Sequence, residues 1–239
     1  MPKLLGVLGG MGPLATADFM RKLTELTPAS RDQDHIPAVV YSNPQVPDRS
    51  TAIMGKGESP LPALLEGIAR LQSAGAEAIA IPCNTAHYWY DEMAAASRVP
   101  ILHIVGGVCD VLRGKGIDGG AVGVMGTAGT LHTGIYQGYL QRSGYTCVLP
   151  SEAEMAELVM PGIVSVKAGD LAAAKRVLGD AARRLGDRGA RMIVLGCTEI
   201  PLALADASPE ATARYVDSTA ALAQACVAWA HGRSGAAAA

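Results

Sequence analysis

One nine-residue pattern recurs in this sequence. Gly75-Ala76-Glu77-Ala78-Ile79-Ala80-Ile81-Pro82-Cys83 is echoed by Gly189-Ala190-Arg191-Met192-Ile193-Val194-Leu195-Gly196-Cys197, with the same Gly-to-Cys spacing. Ahead of each, Gly6-Val7-Leu8-Gly9 is echoed by Gly123-Val124-Met125-Gly126. A glycine, a short apolar run and a loop is the grammar of a βα unit, so each cysteine ends an equivalent strand. The repeat predicts two similar three-layer α/β domains with mainly parallel sheets, related by a pseudo-twofold axis. In such sheets ligands bind beyond the carboxyl ends of the strands. Two domains facing each other would bring Cys83 and Cys197 to opposite walls of one cleft.

The remaining pattern agrees. Strands are predicted at Leu4–Leu8, Ala38–Tyr41, Ala78–Ile81 and Ile101–Val105 in the first half, and at Ala121–Met125, Thr146–Leu149 and Met192–Leu195 in the second. Helical spacing covers Tyr136–Arg142 and Asp170–Leu185. Residues 1–98 with 211–231 are expected to form the first domain, 99–210 the second, and 232–239 a flexible tail of small residues. With 239 residues, 49% hydrophobic and 4% aromatic, the chain can bury a large core of tightly packed small side chains.

Composition also narrows function. A net charge of -2 without a Lys/Arg run argues against a nucleic-acid partner. The apolar N-terminal stretch is broken by Gly9, Gly10, Gly12 and Pro13, too early for a secretory or membrane segment. Five cysteines without CxxC spacing argue against a disulfide framework or zinc site and for free thiols in a reducing cytoplasm.

Inverting an α-carbon by proton transfer needs a base on one face and an acid on the other, and two thiols can alternate those roles. A helix N-terminus beside each strand end would favour the thiolate. Asn84-Thr85 and Thr198-Glu199 follow the cysteines and offer donors for a substrate carboxylate and for enolate-like charge. Cys109, Cys147 and Cys226 lack such a polar loop and read as small buried hydrophobes.

The runs Ile81-Pro82-Cys83-Asn84-Thr85-Ala86-His87-Tyr88 and Gly196-Cys197-Thr198-Glu199-Ile200-Pro201 resemble the two catalytic signatures of the aspartate/glutamate racemase family. The resemblance extends from Gly9-Gly10-Met11-Gly12-Pro13 through Pro47-Asp48-Arg49-Ser50 to Cys197 and is nearest the aspartate racemase branch. It implies two α/β domains with the active site between them, a small dicarboxylic amino acid as substrate, no pyridoxal phosphate or metal, a homodimer, and alternating thiol and thiolate at Cys83 and Cys197. It also implies that Cys197 takes the proton from the L-enantiomer and Cys83 from the D-enantiomer.

Arg49, read alone, is equally a carboxylate clamp or a solvated loop arginine paired with Asp48; the resemblance favours the clamp. Lys167 stands likewise between a second carboxylate contact and a surface lysine at a helix start. Gly10-Met11-Gly12-Pro13-Leu14-Ala15 formally fits G-x-G-x-x-A, but the next strand leads to Ser42-Asn43-Pro44 rather than to an acid for a ribose. Met11 and Gly12 are therefore expected to close over a small carboxylate, with Thr127 and Thr130 as second-domain counterparts. His87 reads either as tuning Cys83 or as a structural histidine. Alternatives of the same superfamily are a maleate cis-trans isomerase or a hydantoin racemase; from another class, a non-catalytic protein binding an acidic amino acid.

Overall fold

The fold is described by a computed structural model covering residues 3–205 and 208–233. Eight strands form two four-stranded parallel sheets: β1 (Leu5–Gly9), β2 (Ala38–Ser42), β3 (Ala78–Ala80) and β4 (Ile101–Leu102) in the order β2-β1-β3-β4, and β5 (Gly120–Met125), β6 (Tyr145–Val148), β7 (Met192–Leu195) and β8 (Tyr215–Asp217) in the order β6-β5-β7-β8. The same order occurs twice, with the two repeat segments on β3 and β7, each beside its sheet's first strand.

The repeated glycines have a packing reason. Gly75 and Gly189 sit at φ +90° and +92°, the left-handed turn that ends a helix and that a side chain would strain. The next N–H reaches back to the helix in both cases: Ala76 to the Leu71 carbonyl at 3.1 Å, Ala190 to the Leu185 carbonyl at 3.2 Å. Gly6 and Gly123 lie under those turns. A Cβ on Gly6 would come within 2.9 Å of Ala76 and 3.2 Å of Leu71, and one on Gly123 within 3.2 Å of both Ala190 and Leu185. The echo thus encodes one helix-on-strand contact made twice.

Each sheet has two apolar faces. Leu64, Ile68 and Leu71 of helix Leu61–Ser73 cover β1 and β3 through Leu8 and Ile79, and Leu178 and Leu185 of helix Leu171–Asp187 cover Ile193 and Leu195 of β7. The other faces share one core, in which Leu5, Val7 and Ala80 join Val122, Val124 and Val194 through helices Ile104–Gly114 and Ser218–Ala230. Strands buried on both sides read as near-continuous apolar runs, which is why they were visible in the sequence. Cys109 and Cys226 are buried in this shared core, and Cys147 is half-buried against it.

Two sequence expectations change here. The run Ile101–Val105 is a strand only to Leu102, because the His103 side chain accepts from the Val105 and Gly106 backbone N–H groups and caps a helix that begins at Ile104. The sheets also divide the chain elsewhere than at 98/99 and 210/211. Ile101–Leu102 pairs with β3 in the first sheet, and Tyr215–Asp217, unmarked in the sequence, pairs with β7 in the second. Most of the expected tail, 234–239, lies outside the described residues. No helix among the described residues is long and apolar enough to cross a membrane.

Candidate active site

Cys83 and Cys197 line one small cavity, about 30 Å³, together with Met11, Asp48, Arg49, Ser50, Asn84, Thr85, Thr127, Lys167, Thr198 and Glu199. Both thiols are buried. Each stands just beyond the carboxyl end of its strand, Cys83 after β3 and Cys197 after β7. At Gly196 a Cβ would meet the Met125 carbonyl at 2.9 Å and the Tyr136 ring at 3.0 Å, so the chain reaches Cys197 through a gap only glycine fills.

The Cys197 thiol donates to Glu199 Oε2 at 3.0 Å, and the Thr198 hydroxyl donates to the same oxygen at 3.3 Å. Burial first, and then the adjacent Glu199 charge, raise the Cys197 pKa well above that of an ordinary cysteine. The thiolate expected from a helix N-terminus is therefore not the resting form of Cys197. Glu199 holds the proton on sulfur.

Arg49 starts the short helix Arg49–Ile53, capped by Asp48. Its Nη1 donates to the Val46 and Pro47 carbonyls at 3.2 and 3.1 Å, which fixes the guanidinium, while its buried Nε has no partner among the described residues. Asp48 does not pair with it: that carboxylate accepts from the Thr51 N–H and hydroxyl, both at 2.7 Å. Lys167 ends helix Met160–Lys167 rather than starting one, a position where a cation suits the helix dipole.

Other polar residues bind the two halves to each other. Thr85 Oγ1 lies 3.1 Å from Thr127 Oγ1 and 2.8 Å from Thr130 Oγ1, and Ser50 Oγ donates to Thr127 Oγ1 at 3.3 Å. Tyr136 donates to Asn84 Oδ1 at 2.6 Å, and Asn84 Nδ2 donates to Ser218 Oγ at 3.0 Å, which in turn donates to the Leu195 carbonyl at 2.7 Å. The Asn84 carboxamide thus spans from the Cys83 loop to the end of β7, leaving one side-chain N–H uncommitted. Gly12, at the start of helix Pro13–Leu26, faces Glu199, whose Oε1 would lie 3.3 Å from an added Cβ. Gly10 is required for a different reason than a pyrophosphate: a Cβ there would come within 2.4 Å of the Asn43 backbone. The contacts of Ser50, Tyr136 and Ser218 carry no local sequence signal, because their partners are 77, 52 and 134 residues away.

His87 is a brace for the Cys83 loop. Its Nδ1–H donates to the Cys83 carbonyl at 2.9 Å and its Nε2 accepts from the Ile104 N–H at 3.2 Å, so the ring is neutral. Burial lowers its pKa from 6.5 to about 4. Unfolded chains then bind a proton that the folded state refuses: stability is full above pH 6.5 and falls as pH drops toward 4. The loss from this histidine between pH 7 and pH 5 is about 2 kcal/mol. Urea unfolding at both pH values is expected to show that loss, reduced in His87→Gln; equal slopes for the two proteins would refute the assignment.

A family model for Asp/Glu/Hydantoin racemase matches residues 8–226. The chain belongs to that family. It is an amino-acid racemase, an isomerase. Among solved structures it is similar to the Picrophilus torridus aspartate racemase, with 34% identity, a TM-score of 0.82, and 98% of this chain and 96% of that chain covered. It is also 29% identical over 228 residues to the broad specificity amino-acid racemase RacX of Bacillus subtilis, covering 94% of this chain and 96% of that protein. PH1733, an aspartate racemase homologue from Pyrococcus horikoshii, shares the fold at 23% identity, with a TM-score of 0.76 over 97% of this racemase and 100% of that chain. Among the described residues no group of three or more His, Cys, Asp or Glu side chains is placed to hold a metal ion.

Proposed function

We propose that this racemase interconverts L- and D-aspartate by two-base proton transfer between Cys83 and Cys197. What carries the reading is one cavity holding two thiols from matching strand ends together with two cations, Arg49 and Lys167. Two cations suit a dicarboxylate, and the buried, unpartnered Arg49 Nε is a donor awaiting an acceptor. Thr127, Thr198 and the remaining Asn84 N–H orient the α-carboxylate. Thr85 holds that hydroxyl cluster in place, and Met11 and Gly12 close the cavity beside Glu199.

With its proton held by Glu199, Cys197 starts as the acid and Cys83 as the base. Cys83 takes the α-proton, the C–H electron pair moves into the substrate carboxylate as an enediolate, and Cys197 delivers its proton to the opposite face. That sequence converts the D- to the L-enantiomer; the reverse begins from Cys197 thiolate. A cavity of about 30 Å³ is far smaller than an amino acid, so the walls part to admit substrate. The enzyme acts in the cytoplasm as a homodimer: its free thiols suit a reducing compartment, and the dimer follows from the family resemblance.

Aspartate is expected to give at least a tenfold higher kcat/KM than glutamate, the range one methylene commands in a shaped pocket. Initial rates on aspartate, glutamate, a neutral amino acid and a hydantoin test this. Preference for glutamate would overturn the choice of aspartate, and preference for a neutral amino acid or a hydantoin would overturn the dicarboxylate assignment.

A further inference from the structure

A second groove, about 420 Å³ and open to solvent, shares no lining residue with the catalytic cavity. Helix Ile135–Arg142 contributes Tyr139 and Arg142, the segment after Cys83 contributes His87, Tyr90 and Asp91, and His103 lies between them. The rings pack together: His103 stacks on Tyr139 at 4.3 Å, and Tyr90 meets the His103 ring edge-on at 4.5 Å. A volume of this size is that of a small-molecule pocket.

Its polar groups are of complementary kinds. Because His103 Nδ1 accepts from the Val105 and Gly106 N–H groups at 3.1 and 3.4 Å, the ring proton sits on Nε2, which has no acceptor among the described residues. The Arg142 guanidinium lies 5.0 Å from the Tyr139 ring centre. Neither Arg142 nor Asp91 has an ion-pair partner among the described residues, and they do not pair with each other. The groove therefore offers an N–H donor and a cation to a carboxylate, a carboxylate to an ammonium, and, in the half-exposed Tyr88 that also lines it, a ring to a planar side chain.

We propose that this groove binds an aromatic α-amino acid as its zwitterion, and that occupancy is transmitted to the catalytic loop. The link is His87, which lines the groove and donates to the Cys83 carbonyl at 2.9 Å, while its other nitrogen holds the N–H of Ile104, the neighbour of His103. Ligand contact with this ring pair and the placement of Cys83 are thus joined by two hydrogen bonds. The transmitted effect rests on Cys83 being catalytic; the binding does not.

Calorimetric titration of the full chain with L- and D-tryptophan, in saturating aspartate, tests the site. The expected results are saturable binding of at least one enantiomer, at least tenfold weaker in Arg142→Gln, and a change of at least twofold in aspartate racemisation in the wild type that the variant does not show. No binding, or binding that aspartate abolishes and Arg142→Gln leaves intact, would overturn the site. Altered oligomeric state in Arg142→Gln would assign the groove to a contact between copies instead, and binding without a rate effect would overturn the transmission. Saturable tryptophan binding by a protein inactive on aspartate would uphold the site and overturn the proposed function separately.

Discussion

Replacing either Cys83 or Cys197 by alanine is expected to lower aspartate racemisation at least a hundredfold, the range for a removed acid or base. In the proposed mechanism each thiol serves one face of the α-carbon, so neither can cover for the other. The single variants should differ in what they retain. Cys83→Ala keeps the Cys197 face and should still exchange the α-hydrogen of one enantiomer with solvent, without inversion; Cys197→Ala should do so for the other enantiomer. Both cysteines are buried but small, and alanine removes one sulfur from a site that already holds a cavity, so the fold should survive. Racemisation at the normal rate in either variant would contradict the two-base mechanism.

Glu199→Gln is expected to lower kcat at least tenfold while making Cys197 more acidic. Two consequences of one charge meet here. The carboxylate accepts the Cys197 proton at 3.0 Å and helps to raise that thiol's pKa. A thiolate beside a carboxylate is a stronger base than an isolated one, and an amino-acid α-proton is weakly acidic, so basicity is needed once Cys197 gives up its proton. A glutamine in this position still accepts a hydrogen bond but carries no charge. Alkylation of Cys197 by iodoacetamide should then begin at lower pH in the variant, although catalysis is slower. A merely structural Glu199 would leave the alkylation profile in place, and that result would remove it from the mechanism.

The part of this architecture visible in the sequence is the part built from neighbours along the chain. Gly75 and Gly189 end helices, Ala76 and Ala190 fold back, a buried strand follows, and a cysteine stands at its end, all within nine residues. Cys83 and Cys197 stand out because matching strand ends and polar loops surround them, whereas Arg49 and Lys167, read alone, are equally solvated surface cations, and Arg49 is favoured only by the family resemblance. Contacts between the two halves left no local trace. Nothing around Tyr136 or Ser218 announces that they tie Asn84 to the end of β7, and Ser50 gives no hint that it meets Thr127. His103 misled the strand assignment for a related reason, since its ring supplies a helix cap that apolar periodicity does not register. The Cys197 loop likewise reads as a place for a thiolate, because residue order does not show that the Glu199 carboxylate turns back onto the sulfur.

The most direct test of the account is to incubate the reduced protein with L-aspartate in deuterated buffer, with a chelator and without pyridoxal phosphate, following optical rotation and α-deuteration together. Rotation is expected to decay to zero while deuterium enters the α-position, with D-aspartate carrying deuterium from its first appearance. Deuterium entry at unchanged rotation, or no change in either signal, would contradict proton transfer between two thiols across the α-carbon.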